Sequence, residues 1–127
     1  MNKRKDYHRE EANQHTKDWR YYEKLGDRHA AKANYWAGSD VGEYSKGQHH
    51  DALKILARNA SNMHGLARDA HRQVNLYIKN ASHSKIGNER IKSISLHAKK
   101  MSRMALHAER LYHNHATNPE AKNFGRY

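Results

Sequence analysis

The sequence predicts an all-α protein, an antiparallel three-helix bundle with long helices and a short C-terminal tail. Three observations predict it. One proline and seven scattered glycines in 127 residues leave room for long uninterrupted helices. A hydrophobic content of 36% is low for a globular chain, and suits helices that need only one apolar stripe each. Side chains suited to an interior recur at steps of three and four in three separate segments.

The first segment places His8, Ala12, His15, Trp19, Tyr22, Leu25 or Gly26, His29, Ala33 and Trp36 on one stripe, predicting a helix over about 6–37 with Gly26 as a weak point. Residues 38–47, which hold Gly38, Gly42 and Gly47, read as a loop. The second helix is predicted over about 49–80. Its seam of Leu56, Ala60, Met63, Ala67, Ala70, Val74 and Tyr77 alternates steps of four and three, widened by Leu53, Ile55, Leu66 and Ile78. A turn over 81–88 ends on Asn88, an N-cap candidate for a third helix over about 89–115. That helix carries Ile94, Ala98, Met101, Ala105, Ala108 and Tyr112 on its seam, with Ile91, Leu96, Met104 and Leu111 beside it. Pro119 stops it by disfavouring helix at Asn118. Residues 1–116 thus form one helical domain and 117–127 a flexible tail. Alanines at the seams bury little area each, so self-association into a homo-oligomer or a partner would add stability.

Charge narrows the function. The net charge is +11, and it is uneven. Residues 1–48 hold ten basic and eight acidic residues, a net +2, whereas residues 49–127 hold fourteen and five, a net +9. The expected activity is therefore non-enzymatic nucleic-acid binding, with the DNA or RNA backbone contacted without sequence specificity. Lys54, Arg58, Arg68, Arg72, Lys92, Lys99, Lys100, Arg103 and Arg110 fall largely off the apolar seams and are the expected phosphate contacts. A second reading is a helical adaptor or inhibitor, of the kind common among phage and mobile-element products, that binds an acidic protein partner. Tyr21 and Tyr35 would be its exposed aromatic anchors, while Trp19, Tyr22 and Trp36 pack inward.

Several chemistries are not expected. Cysteine is absent, which removes disulfides, thiolate metal sites and thiol nucleophiles. No cofactor-binding glycine loop and no apolar run of membrane-spanning length occur, and the charged opening MNKRKDYHREE has no signal-peptide core, so a cytoplasmic location is expected. Twelve histidines stand out, yet none is spaced three or four residues from another, and His64 and His71 are two turns apart. They read as polar helix-face residues without a metal, whose protonation near pH 6 would tighten binding to a polyanion.

The stretch Arg58-Asn59-Ala60-Ser61-Asn62-Met63-His64 resembles the active-site motif of HEPN-type helical RNases. The resemblance implies Arg58 as a phosphate-stabilising group and His64 as a general acid or base. Arg9 with His15, Arg90 with His97 and Arg110 with His115 match more loosely, about as often as chance placement gives. Tyr44-Ser45-Lys46-Gly47, Ala52, Ala70-His71 and Ile78 are similar to the helical segment preceding small MutS-related nuclease domains, without the nuclease domain itself.

Overall fold

The structure, a computed structural model, describes residues 3–36, 46–80 and 85–117. They form three helices, α1 (Lys3–Tyr35), α2 (Lys46–Asn80) and α3 (Lys85–Ala116), and no strand occurs among the described residues. This is the helical bundle that the periodicity predicts. The start of α1 lies against the end of α2, where Asn75 Nδ2 donates to the carbonyl of Lys5 at 3.0 Å, so the two run antiparallel. α3 returns parallel to α1.

All three helices start three or four residues before the expected positions, at Lys3, Lys46 and Lys85. Gly47 belongs to α2, not to the loop, because the end of α1 crosses it closely: a Cβ at Gly47 would lie 3.3 Å from the Trp36 carbonyl oxygen. Asn88 lies inside α3 and does not cap it. The helix extends back to Lys85, with buried Gly87 and Ile91 four residues apart on its inner face. The expected loop over 38–45 and the expected tail from 118 onward lie outside the described residues.

The seams also sit differently. On α2 the buried stripe is Leu53, Ala57, Ala60, His64, Ala67, His71 and Val74, again alternating four and three, with His49, His50 and Ser61 buried beside it. This stripe is rotated from the sequence-predicted one: Leu56 and Met63 are partly buried, while Ile55 and Leu66 are exposed at 59% and 52%. On α3 the buried set is Ile91, Ser95, Ala98, Ser102, Ala105, Ala108, Tyr112 and Ala116, and Leu96, Met104 and Leu111 face out. Ala98, Ala105, Ala108 and Tyr112 on α3 and Ala60, Ala67 and Val74 on α2 lie on the seam as expected, but counting Leu and Ile as core and His and Ser as surface misplaced the residues beside them. Polar side chains that find partners outcompete larger apolar ones for the interior.

Alanine lets backbones approach, and α1 packs most closely on α2. α1 and α3 stand further apart, and the gap is closed by longer side chains reaching from α1. One compact apolar cluster, built on Tyr22, Leu25, Leu53, Ala57, Ala60, Ala108, Tyr112 and Ala116, fills the half of the bundle nearer the end of α1.

The rotated stripe has a direct test. Leu53→Ala should destabilise the fold by about 2–5 kcal/mol, whereas Ile55→Ala should change it by no more than about 0.5 kcal/mol. Urea unfolding of the two variants checks this, and equal effects would restore the sequence-predicted seam.

Candidate functional site

The interior is laid out by a heptad of polar rings. On α1, His8, His15, Tyr22 and His29 recur every seven residues, and all four are buried. On α2 the same period places His50, Ala57, His64 and His71 inside. Antiparallel packing sets these rows against each other: His8 meets His71, His15 meets His64 and His29 meets His50, with sequence separations of 63, 49 and 21. Each step moves seven residues forward on α1 and seven back on α2. In the same register Tyr22 comes level with Ala57, where the small residue leaves room for the phenol ring. α3 contributes a third row, Ser95, Ser102 and Glu109, also seven apart.

At each histidine pair the two Nδ1 atoms face one another, at 2.6 Å for His8–His71, 2.8 Å for His15–His64 and 3.1 Å for His29–His50. The outer nitrogens reach α3. His8 Nε2 lies 2.9 Å from Ser95 Oγ, and His15 Nε2 and His71 Nε2 lie 2.8 and 2.7 Å from the one hydroxyl of Ser102. His64 Nε2 lies 2.6 Å from Glu109 Oε1. The result is one unbroken chain, Ser95–His8–His71–Ser102–His15–His64–Glu109. Two further groups lie nearer the other end of the bundle, His29 Nε2 with the Tyr112 hydroxyl at 2.7 Å and Tyr22 with His113 Nε2 at 2.9 Å.

With Glu109 ionised and His64 neutral, hydrogen counting gives the chain one direction. An ionised carboxylate only accepts, so His64 donates from Nε2–H to Glu109. A neutral His64 then has a bare Nδ1, which accepts from His15 Nδ1–H. His15 Nε2 accepts the Ser102 hydroxyl proton, and Ser102 Oγ in turn accepts from His71 Nε2–H. His71 Nδ1 accepts from His8 Nδ1–H, and His8 Nε2 from the Ser95 hydroxyl. Every imidazole donates once and accepts once, and none needs a charge. The tautomers alternate between α1, with the proton on Nδ1, and α2, with it on Nε2.

Electrostatics agree with neutral rings at His8, His15 and His71 of the chain. Burial holds His8, His15, His29, His49 and His71 below the usual imidazole range, and neighbouring imidazoles or cations add to the effect. For His29, His49 and His71 the value falls to about 4. The sequence expectation of polar helix-face histidines is thus overturned for seven of the twelve, which lie inside. His8, His15, His29, His50, His64 and His71 meet partners from the other helices at matching heptad positions, and His49 stacks on His115. The charge increment expected near pH 6 is absent from the five held below their usual range.

Intrahelical spacing offered no metal set, but among the described residues the fold gathers two from different helices. Glu11, His15 and His71 bring one ligand atom each within 4.8 Å of one another, and so do His15, Asp18 and His64.

The expected phosphate contacts do not gather on one face. Lys54 pairs with Asp51 at 2.6 Å, Arg58 lies 3.8 Å from Asp27, and Arg68 pairs with Asp69 at 3.0 Å while covering the Trp19 ring. Lys100 and Arg103 border a groove between α2 and α3, and Arg110 is exposed further along α3. Arg72, Lys92 and Lys99 meet a basic set that the sequence reading missed, Arg4, Lys5 and Arg9 at the head of α1. Lys5, Arg9, Arg72 and Lys79 line the groove between α1 and α2, and Arg4, Lys92 and Lys99 the groove between α1 and α3. Even charge balance over residues 1–48 concealed the α1 cations.

The fold does not bring the RNase-like pair together. Arg58 is exposed and faces Asp27, whereas His64 is fully buried with both nitrogens engaged. Tyr21 and Tyr35 are exposed at 55% and 77%; Tyr22 is buried, and Trp19 and Trp36 partly so.

Removing the shared hydroxyl is the sharpest perturbation of the chain. Ser102→Ala strips partners from two buried imidazole nitrogens and should cost about 1–3 kcal/mol, while Ser93→Ala on the exposed face should cost less than about 0.5 kcal/mol, both read by urea unfolding. Acid provides a second test. His29 and His49 take up protons near pH 6.5 when unfolded but only near pH 4 when folded. Between these values the unfolded chain binds more protons, so stability is complete above about pH 6.5 and drops as pH falls towards 4. The decline is at most about 1.4 kcal/mol per pH unit for each ring. Thermal melts from pH 7.5 to 4 should show a steep loss below pH 6.5, and a flat profile would contradict buried neutral rings.

Comparison with known proteins finds no matching family model, no similar curated protein and no similar solved structure.

Proposed function

We propose that this chain is a non-enzymatic binding protein for the phosphate backbone of DNA or RNA, without sequence specificity. The observation that carries the reading is the run of cations on both sides of the head of α1. Lys5, Arg9, Arg72 and Lys79 lie along one groove and Arg4, Lys92 and Lys99 along the other, so seven basic residues from all three helices flank one short stretch of α1. Asp6 pairs with Arg9 at 2.8 Å and offsets part of its charge. Lys99 stands 5.6 Å above the exposed Tyr7 ring, and Asn13 adds a further hydrogen-bonding side chain. Phosphate neutralisation by such a row releases counterions and gives affinity without base readout.

One observation favours a second reading, an acidic protein partner. The groove between α2 and α3 has an apolar floor of Met63, Met104, Ala108 and Leu111 beneath Lys100 and Arg103. An amphipathic helix with acidic flanks fits that chemistry.

Binding to random duplex and single-stranded oligonucleotides, titrated with salt, tests the first reading. Affinity should fall steeply with salt. Arg72→Ala and Lys99→Ala should each lower the slope of log K against log salt by about one, while Lys54→Ala, whose charge is already paired with Asp51, should have little effect. Absent or salt-insensitive binding would contradict this reading. RNA cleavage lost in Arg58→Ala would replace it with an enzymatic one.

A further inference from the structure

We propose that His15, Asp18 and His64 form a binding site for one divalent first-row transition-metal ion, of the zinc and ferrous class, that ties α1 to α2. The three side chains come from one turn of α1 and the facing level of α2. Their donor atoms are identifiable. His15 Nδ1 and His64 Nδ1 stand 2.8 Å apart, and Asp18 Oδ2 lies 3.9 Å from His64 Nδ1. All three fall within the 4.8 Å that a single ion can span.

The surroundings are those of a built site. A ligating imidazole needs its second nitrogen held, so that ring orientation and tautomer are fixed. Here His64 Nε2 is held by Glu109 at 2.6 Å and His15 Nε2 by Ser102 at 2.8 Å. The carboxylate is oriented too: Gln14 Nε2 donates to Asp18 Oδ1 at 3.1 Å, leaving Oδ2 towards the histidines. Both rings are buried, whereas the Asp18 side chain is 28% exposed, so the ion enters and keeps its open positions on the Asp18 side. Two imidazoles and one carboxylate suit zinc or ferrous ions, whereas calcium and magnesium prefer oxygen throughout. The ion would part the two Nδ1 atoms from 2.8 Å to roughly 3.4 Å and draw Asp18 in by a few tenths of an ångström.

The proton balance closes across the chain. To ligate, His15 Nδ1 releases its proton to solvent on the Asp18 side, and Ser95, which lines the groove between α1 and α3, takes one up at the far end. His15 then carries a proton on Nε2 and donates to Ser102, whose hydroxyl turns to His71 Nε2. His71 donates from Nδ1 to His8 Nδ1, and His8 from Nε2 to Ser95. Each ring keeps one proton, and the four hydrogen bonds from His15 to Ser95 reverse. The His15–His64 hydrogen bond gives way to the metal, His64 still donates to Glu109, and no charge is stranded.

The test is titration of the metal-free full chain with Zn²⁺ by calorimetry and with Co²⁺ by visible absorption, alongside thermal melts with and without Zn²⁺. One ion per chain should bind and raise the melting temperature. Asp18→Asn, a partly exposed and nearly isosteric change, should weaken binding at least tenfold. Glu109→Gln should weaken it about 10–100-fold through His64. Glu11→Gln should leave it within about twofold. No binding of either ion would overturn the site, and so would binding unchanged by Asp18→Asn, which would place the ion on exposed histidines. A larger loss in Glu11→Gln than in Asp18→Asn would move the site to Glu11, His15 and His71. Asp18→Asn must melt like the wild type without metal; should it not, Glu109→Gln and Glu11→Gln decide between the same outcomes.

Discussion

An imidazole inside a helical bundle costs free energy unless both of its nitrogens find partners. In this protein that requirement sets the register of all three helices. His8 and His15 can face His71 and His64 only if α1 and α2 run antiparallel in one particular alignment. Ser95, Ser102 and Glu109 can close the outer nitrogens only if α3 lies parallel to α1 at the matching height. A slip of one residue on any helix would leave several buried donors or acceptors bare. An interior of alanines could slide, because alanine packs acceptably in many alignments. The histidine chain supplies the specificity that the small apolar side chains lack.

The same chain explains why so polar a sequence folds. The largest apolar cluster occupies only part of the bundle, and many of its members are alanines. Elsewhere the volume between α1 and α3 is filled by rings whose polar edges are paired. Each such hydrogen bond is worth about 0.5–1.5 kcal/mol net, but leaving one broken costs more than making it gains. The fold therefore gains cooperativity: loss of one link unsettles its neighbours.

Helix number, orientation and approximate bounds were legible in the sequence, because steps of three and four survive any choice of which polar residues count as interior. The stripe on α1 was legible too, with His8, His15, Tyr22 and His29 all placed on it. The role of those histidines was not. Ligand and hydrogen-bond searches along one helix look for partners three or four residues away, and these rings meet partners 21 to 63 residues away. Three rows at a period of seven, His on α1, His on α2 and Ser-Ser-Glu on α3, were the available signal. The basic surface was half legible. Arg72, Lys92 and Lys99 were found, but Arg4, Lys5 and Arg9 were hidden by acids close in sequence, and Lys54 and Arg68 turn out to be tied to neighbouring aspartates.

The most direct measurement of the central claim is a long-range ¹H–¹⁵N correlation spectrum of the histidine side chains at pH 7 in the metal-free protein. Neutral rings in alternating forms are expected, His8 and His15 protonated on Nδ1, His64 and His71 on Nε2, with ring N–H protons slow to exchange. Averaged nitrogen shifts and freely exchanging protons, as in solvent-exposed imidazole, would contradict it.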